Sequence, residues 1–195
     1  MKKILFLAIA VGFFACNRQP EGYEINVNLS GAEGSFLLER RGDTGWIPVD
    51  TAEVSEGKAV FHGKVDYPEE LYFSVLGDRA KTVLFVENTE MTIEGDVKNL
   101  EQIVVTGSET HDEYNSVSGE IRKVGEEYMG LYQQAQEAAA ANDTAKAQQL
   151  MDQVEVLYNQ TFEIQKEFVQ NNPGSYATPH FLARLQHGLD TEELD

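Results

Sequence analysis

Apolar and polar positions alternate along the first half of this chain and recur every three or four residues along the second. The period changes near residue 108, so the two halves predict different structures. In Tyr23-Glu24-Ile25-Asn26-Val27-Asn28-Leu29 the alternation places Ile25, Val27 and Leu29 on one face of a half-buried strand. Similar runs predict strands over Ser35–Arg40, Trp46–Val54, Lys58–Val65, Glu70–Leu76, Thr82–Val86, Met91–Glu94 and Gln102–Thr106. Turn-prone groups such as Ser30-Gly31, Gly42-Asp43, Gly77-Asp78 and Glu87-Asn88-Thr89 separate them. Short strands at this spacing predict an antiparallel β-sandwich or partly open barrel over residues 22–107. The Val54–Val60 connection predicts a tight hairpin with Gly57 at its strained position.

From residue 108 the reading is helical. Tyr114, Val117, Ile121, Val124, Tyr128, Leu131 and Ala135 form one stripe, and Thr110 with Glu113 forms a capping box ahead of it. Ala147, Leu150, Val154, Leu157, Thr161, Ile164 and Phe168 form a second stripe. Asn142-Asp143 between them supplies a turn and an N-cap. The two stripes predict a long antiparallel αα-hairpin over residues 108–172, with Ala138–Ala141 keeping the helices close near the tip. Met151, Tyr158 and Phe162 widen the second stripe toward the sheet or a partner. Asn172-Pro173-Gly174 ends that helix. Thr178-Pro179 opens a short helix that Gly188 stops, and Asp190 with Glu193 starts another as the chain ends. The fold class expected is therefore α+β, with residues 173–195 a linker and short helix leading to a missing domain.

Composition narrows the function. The 195 residues carry a formal net charge of −18, which repels phosphate backbones and excludes nucleic acid as a partner. One cysteine permits neither an internal disulfide nor a Cys-x-x-Cys pair. That cysteine is Cys16, and it follows a basic start at Met1-Lys2-Lys3 and an apolar or small-residue run from Ile4 to Ala15. The layout is that of a secretory signal over residues 1–15. With the small Ala15 before it, Cys16 resembles the lipobox of bacterial lipoproteins, which implies acylation of Cys16 and a short tether over residues 16–21. The expected location is the cell envelope: lipid-anchored to the inner or outer membrane and facing the periplasm or exterior, with the bilayer as a partner through Cys16.

A second resemblance covers the rest of the chain. Its carrying segments are Val49–Val54 with Gly57, Phe61-His62-Gly63-Lys64-Val65, Leu84-Phe85-Val86-Glu87-Asn88, Val105-Thr106-Gly107-Ser108 and Phe168–Tyr176. In this order they resemble the domain-of-unknown-function 4369 family, the N-terminal domain of thioredoxin-like envelope lipoproteins of the Bacteroidota. That resemblance implies a following thiol–disulfide oxidoreductase domain. The chain departs from the pattern there, because the domain and its cysteine pair are absent, so redox activity does not transfer.

The remaining chemistry is sparse. His62, His111, His180 and His187 show no metal-ligand spacing of three or four residues, so no metal site or cofactor is expected. Glu69-Glu70, Glu126-Glu127 and Glu192-Glu193 read as solvated charges, and adjacent residues diverge too far to act as a dyad. Trp46, Tyr72 and Phe73 read first as sandwich core and second as a binding face. Asp50-Thr51-Ala52 and Asp143-Thr144-Ala145 resemble an Asp-Thr/Ser-small triplet for O-glycosylation of envelope proteins, making Thr144 and then Thr51 the candidate acceptors. No catalytic residue stands out. The expected function is a non-enzymatic, lipid-anchored module for binding or docking, with an envelope protein as a candidate partner. The alternative is the N-terminal portion of a thioredoxin-like thiol–disulfide oxidoreductase.

Overall fold

The computed structural model describes residues 21–185. Eight strands come first: β1 (Tyr23–Ser30), β2 (Ser35–Gly42), β3 (Gly45–Glu53), β4 (Lys58–Gly63), β5 (Glu69–Val75), β6 (Thr82–Val86), β7 (Glu90–Asp96) and β8 (Val104–Thr106). A short 3-10 helix over Val97–Gln102 joins the last two strands. Three helices follow, α1 (Glu109–Ala140), α2 (Thr144–Asn171) and α3 (Thr178–Leu185).

The strands form two open four-stranded sheets, ordered β4-β1-β7-β8 and β3-β2-β5-β6. Alternation decides which side chains meet between them. Tyr23, Ile25, Val27 and Leu29 of β1 turn inward and face a core that includes Phe36, Leu38, Leu71 and Phe73 from the other sheet. Phe73 sits at its centre, with ring centroids 5.1 Å from Phe36 and 6.5 Å from Phe61. The architecture is thus the sandwich form of the expected α+β fold.

Two local expectations are corrected. Among the described residues all strand pairs are antiparallel except β1 with β7, which run parallel from Glu24↔Glu90 to Ser30↔Asp96. Local alternation is the same for either direction, so it carries no sign of this pairing. The Val54–Lys58 connection does make a two-residue turn, closed by Ser55 and Lys58, with positive φ at both Glu56 (53°) and Gly57 (77°). It is a corner and not a hairpin, because β3 and β4 belong to different sheets. A Cβ on Gly57 would lie 2.7 Å from the carbonyl oxygen of Leu29, whose own N–H donates to the Gly57 carbonyl at 2.8 Å.

The helical hairpin forms as its stripes predict, but its first cap differs. Ser108 caps α1 by accepting from the His111 N–H at 3.0 Å. Glu87 supports it from the β6–β7 turn, accepting from the Ser108 hydroxyl at 3.0 Å and the Thr110 N–H at 2.7 Å. Thr110 lies inside the helix, and Glu113 instead accepts from the Ser175 hydroxyl. At the far end Asn142 adopts φ of 59°, with its N–H on the Ala139 carbonyl and that of Asp143 on the Ala138 carbonyl, a left-handed helix stop. Asp143 then caps α2 through the Lys146 N–H at 3.1 Å. Thr178 is likewise not a cap: it begins α3, and its hydroxyl donates to the Asn172 carbonyl at 2.5 Å.

Near the root of the hairpin, Phe85 of β6 packs with Val117, Ala177 and Phe181, joined by Tyr114, Ile121, Ile164 and Phe168. This second core docks α3 beside the outer face of the β3-β2-β5-β6 sheet. Toward the tip only Ala135, Ala138 and Leu150 form a buried cluster. Met151 and Tyr158 are exposed, so they do not reach the sheet. Among the described residues, no helix is long and apolar enough to cross a membrane. Cys16, His187, Gly188 and the Asp190–Glu193 box lie outside the described residues.

Candidate binding cleft

A cleft of about 910 Å³ opens where β2, β5 and α3 meet, lined by Arg40, Arg41, Gly42, Asp43, Glu70, Tyr72, Pro179, His180, Ala183 and Arg184. It holds three of the six arginines in a chain of net charge −18. Each is delivered by local structure. Arg40 and Arg41 lie beyond a register shift between Leu38 and Glu39, just before the Gly42–Gly45 turn. Arg184 sits in the last turn of α3, one turn beyond His180 and on the same side of the helix.

The register shift also explains why two successive residues, Leu38 and Glu39, are both buried. Leu38 enters the core, while Glu39 receives hydrogen bonds from Lys81 and, at 3.1 Å, from the Ser74 hydroxyl. Lys81 lies 4.7 Å from the centroid of the Trp46 ring, and Trp46 meets Tyr72 edge-on at 4.7 Å. Phe73, by contrast, faces the core. The three aromatics therefore divide as strand alternation requires, with Trp46 and Tyr72 outside and Phe73 inside.

Glu70 is the hub of the cleft floor. It accepts from the Tyr72 hydroxyl at 2.5 Å, and its Oε1 lies 3.1 Å from His180 Nδ1. Burial alone would raise its pKa, but the bonds from His180 and Tyr72 and the nearby Arg184 charge outweigh it and hold the carboxyl below its ordinary value. Burial and the hydrogen bond to Glu70 push the Tyr72 phenol up to about 12, so it stays protonated as a donor. His180 is buried edge-on against Tyr114, Phe181 and Phe85, with centroids 5.0, 5.2 and 6.2 Å away, and among the described residues its Nε2 has no hydrogen-bond partner.

Glu69 and Glu70 are thus not simple solvated charges. The two carboxylates diverge, as adjacent strand residues do, but each finds a partner: Arg40 for Glu69, and Tyr72 with His180 for Glu70. Arg41 and Arg184 are exposed and form no ion pair among the described residues. Such an arrangement can fix an anionic group.

The other candidates lie elsewhere. Thr51 is exposed on edge strand β3, with its N–H on Asp50 Oδ1 at 2.7 Å. Thr144 is exposed at the first position of α2, at the hairpin tip. Both hydroxyls are accessible, and neither is near the cleft lining. His62 is exposed near Glu24, and His111 is buried at the root of α1. Among the described residues, no group of three or more His, Cys, Asp or Glu side chains is placed to hold a metal ion.

Several segments that carry the family pattern converge on one structural knot. The Asn88 side chain pairs with both backbone groups of Val65, at 3.0 and 2.6 Å. Thr89 donates to the Gly107 carbonyl at 2.5 Å, while Glu87 holds the start of α1. Gly107 has φ of 94°, and a Cβ there would lie 2.1 Å from the Glu90 carbonyl oxygen. These residues fix the sandwich to its arm.

In class, this is an open β-sandwich bearing a helical arm. Residues 23–114, from β1 through the first turns of α1, match the family model described as Domain of unknown function (DUF4369), and the domain they form is a member of that family. No curated protein and no solved structure matches the chain.

Proposed function

We propose that this protein is a non-enzymatic, lipid-anchored module of the cell envelope that binds or docks a ligand or partner. The cleft carries this reading: it presents Arg41 and Arg184, which form no ion pair among the described residues, beside a preorganised polar floor, which is chemistry for recognition. Acylated Cys16 supplies the tether, at the end of a signal-like run, and the short segment to residue 21 leads into β1. Exposed Thr144 and Thr51 are the proposed O-glycan acceptors. The first test is Cys16→Ser. The substitution is expected to release the protein from membranes, and retention with unchanged processing would refute the anchor.

A second reading treats the chain as the N-terminal part of a thioredoxin-like thiol–disulfide oxidoreductase. The exposed Met129, Tyr132, Met151 and Tyr158 of the arm favour it, as unburied apolar surface that a second body could cover. An immunoblot of native envelope fractions separates the two. A band matching residues 16–195 supports the freestanding module. A band larger by a thioredoxin-sized domain supports the second reading.

A further inference from the structure

We infer that the cleft between β2, β5 and α3 binds a carboxylate carried on a ligand the size of a short acidic peptide. The inference rests on the binding-module reading and names the ligand class of its site. The first argument is the placement of charge. Acidic residues outnumber basic ones 33 to 15, yet Arg40, Arg41 and Arg184 meet at one cleft. Arg40 already holds Glu69 through Nε, whereas Arg41 and Arg184 make no ion pair among the described residues. Guanidinium groups present paired N–H donors that match the two oxygens of a carboxylate.

The second argument separates carboxylate from phosphate. Glu70 and Asp43 also line the cleft, and Glu70 is held ionised by its neighbours. A phosphate would bring up to two charges to one point beside both of these carboxylates, so a group that carries a single charge, a carboxylate, fits better beside Arg41 and Arg184. The overall acidity of the chain adds to that preference, although salt screens it beyond roughly 10 Å.

The third argument is size. A space of about 910 Å³ is far larger than one carboxylate and lies in the range of pockets that enclose extended organic ligands. Its lining also includes Gly42, Pro179 and Ala183, which offer small, uncharged surface to a peptide backbone. The floor is rigid, because Tyr72 and His180 both engage Glu70 and α3 is held from behind by Phe181. The site is therefore preorganised for its ligand.

NMR titration of the full chain, purified in a non-ionic detergent, tests this. The probe is acetyl-Ala-Asp-Glu-Ala-amide, and its control is the twin in which Asn and Gln replace the acids. The acidic probe is expected to shift amides of residues 40–43 and 180–184, and the twin is not. Arg41→Gln with Arg184→Gln is expected to weaken binding at least tenfold with an unchanged melting temperature. Lys98→Gln with Lys123→Gln, the same charge change elsewhere, is expected to leave it intact. Glutarate at equal affinity would identify a free acid as the source of the carboxylate, and weaker glutarate binding would identify the peptide. Equal binding of the neutral twin, tighter binding of inorganic phosphate, or no shift at the cleft with millimolar probe would each overturn the inference. If the cleft fails these tests while Cys16→Ser still releases the protein, the ligand class is wrong and the anchored module stands.

Discussion

The sandwich and the arm bury their side chains in different ways. In the sandwich, Phe36, Phe61, Phe73, Leu71, Ile25 and Ile93 are wholly buried between two sheets. In the arm beyond its root, the buried residues are Val124, Ala135, Ala138, Leu150, Val154 and Leu157, none larger than leucine and each retaining some exposure. Two sheets enclose a core with several layers of contact. Two helices meet along one seam, which leaves most of each cylinder in solvent. At 1.5 Å per residue the 32-residue α1 is about 48 Å long, so the arm spreads a thin seam over a long lever. The sandwich therefore has a thick core, and the arm has a thin, long seam.

Breaking the larger core should have the largest effect. Phe73→Ala removes a ring in contact with both Phe36 and Phe61 and leaves a cavity between the sheets. Large-to-small changes of this kind cost about 3–5 kcal/mol. Chemical denaturation should show that loss. It should also show the root of the arm melting with the sandwich, because Glu87 and Phe85 hold α1 from β6 and its following turn. A loss under 1 kcal/mol would mean that the core tolerates the void and that the contrast between the regions is overstated.

His111 tests the junction between the two regions. It is buried at the start of α1, and its Nδ1 accepts from the Phe85 N–H at 3.4 Å, so the neutral ring is the one that fits. Burial lowers its pKa to about 4, against a smaller opposing pull from Asp112. The folded value lies below the unfolded one of 6.5, so the unfolded chain binds the extra proton first. Stability is complete above pH 6.5 and falls as the pH drops toward 4, by on the order of 3 kcal/mol. Glu70 has the same sign, but its loss starts only below the ordinary carboxylate value of 4.5. The window from 6.5 to 4.5 therefore separates His111 from Glu70. His111→Gln should flatten the pH dependence of the unfolding free energy there, and an unchanged slope would place the titrating group elsewhere.

The legible parts of this molecule are those whose signal is local. Alternation in Tyr23–Leu29 and the stripe from Leu150 to Leu157 reflect which side chains face a core, and that fixes element type and length. The Ser108 cap was ambiguous locally, because Thr110 with Glu113 has the same spacing as a capping box. Glu87, 21 residues earlier, decides between them. The parallel β1–β7 pair leaves no local mark either. The cleft was illegible for the same reason on a larger scale, since Glu70 and His180 are 110 residues apart. The available clue was the doublet Arg40-Arg41 in so acidic a chain. Met151 and Tyr158 show the converse limit: the pattern marks a side chain as apolar and does not say whether anything covers it.

The smallest expected effect is the most local, and it bears directly on whether the arm is separable. Leu157 is buried at 9% exposure among mid-arm residues that belong to neither the sandwich core nor the root. Leu157→Asp places an unpaired carboxylate in the seam, at a cost of roughly 1–3 kcal/mol. Long helices in water owe most of their stability to such a packed face, so the loss should open the hairpin from its tip while the root stays docked. Hydrogen exchange should then quicken across residues 120–160 and stay unchanged in β1, β2, β5 and β7. Slower or equal exchange in the arm would mean that Leu157 is not part of the seam. Faster exchange in the sheets as well would mean that the arm and the sandwich unfold as one unit, and the distinction between a thick core and a thin seam would fail.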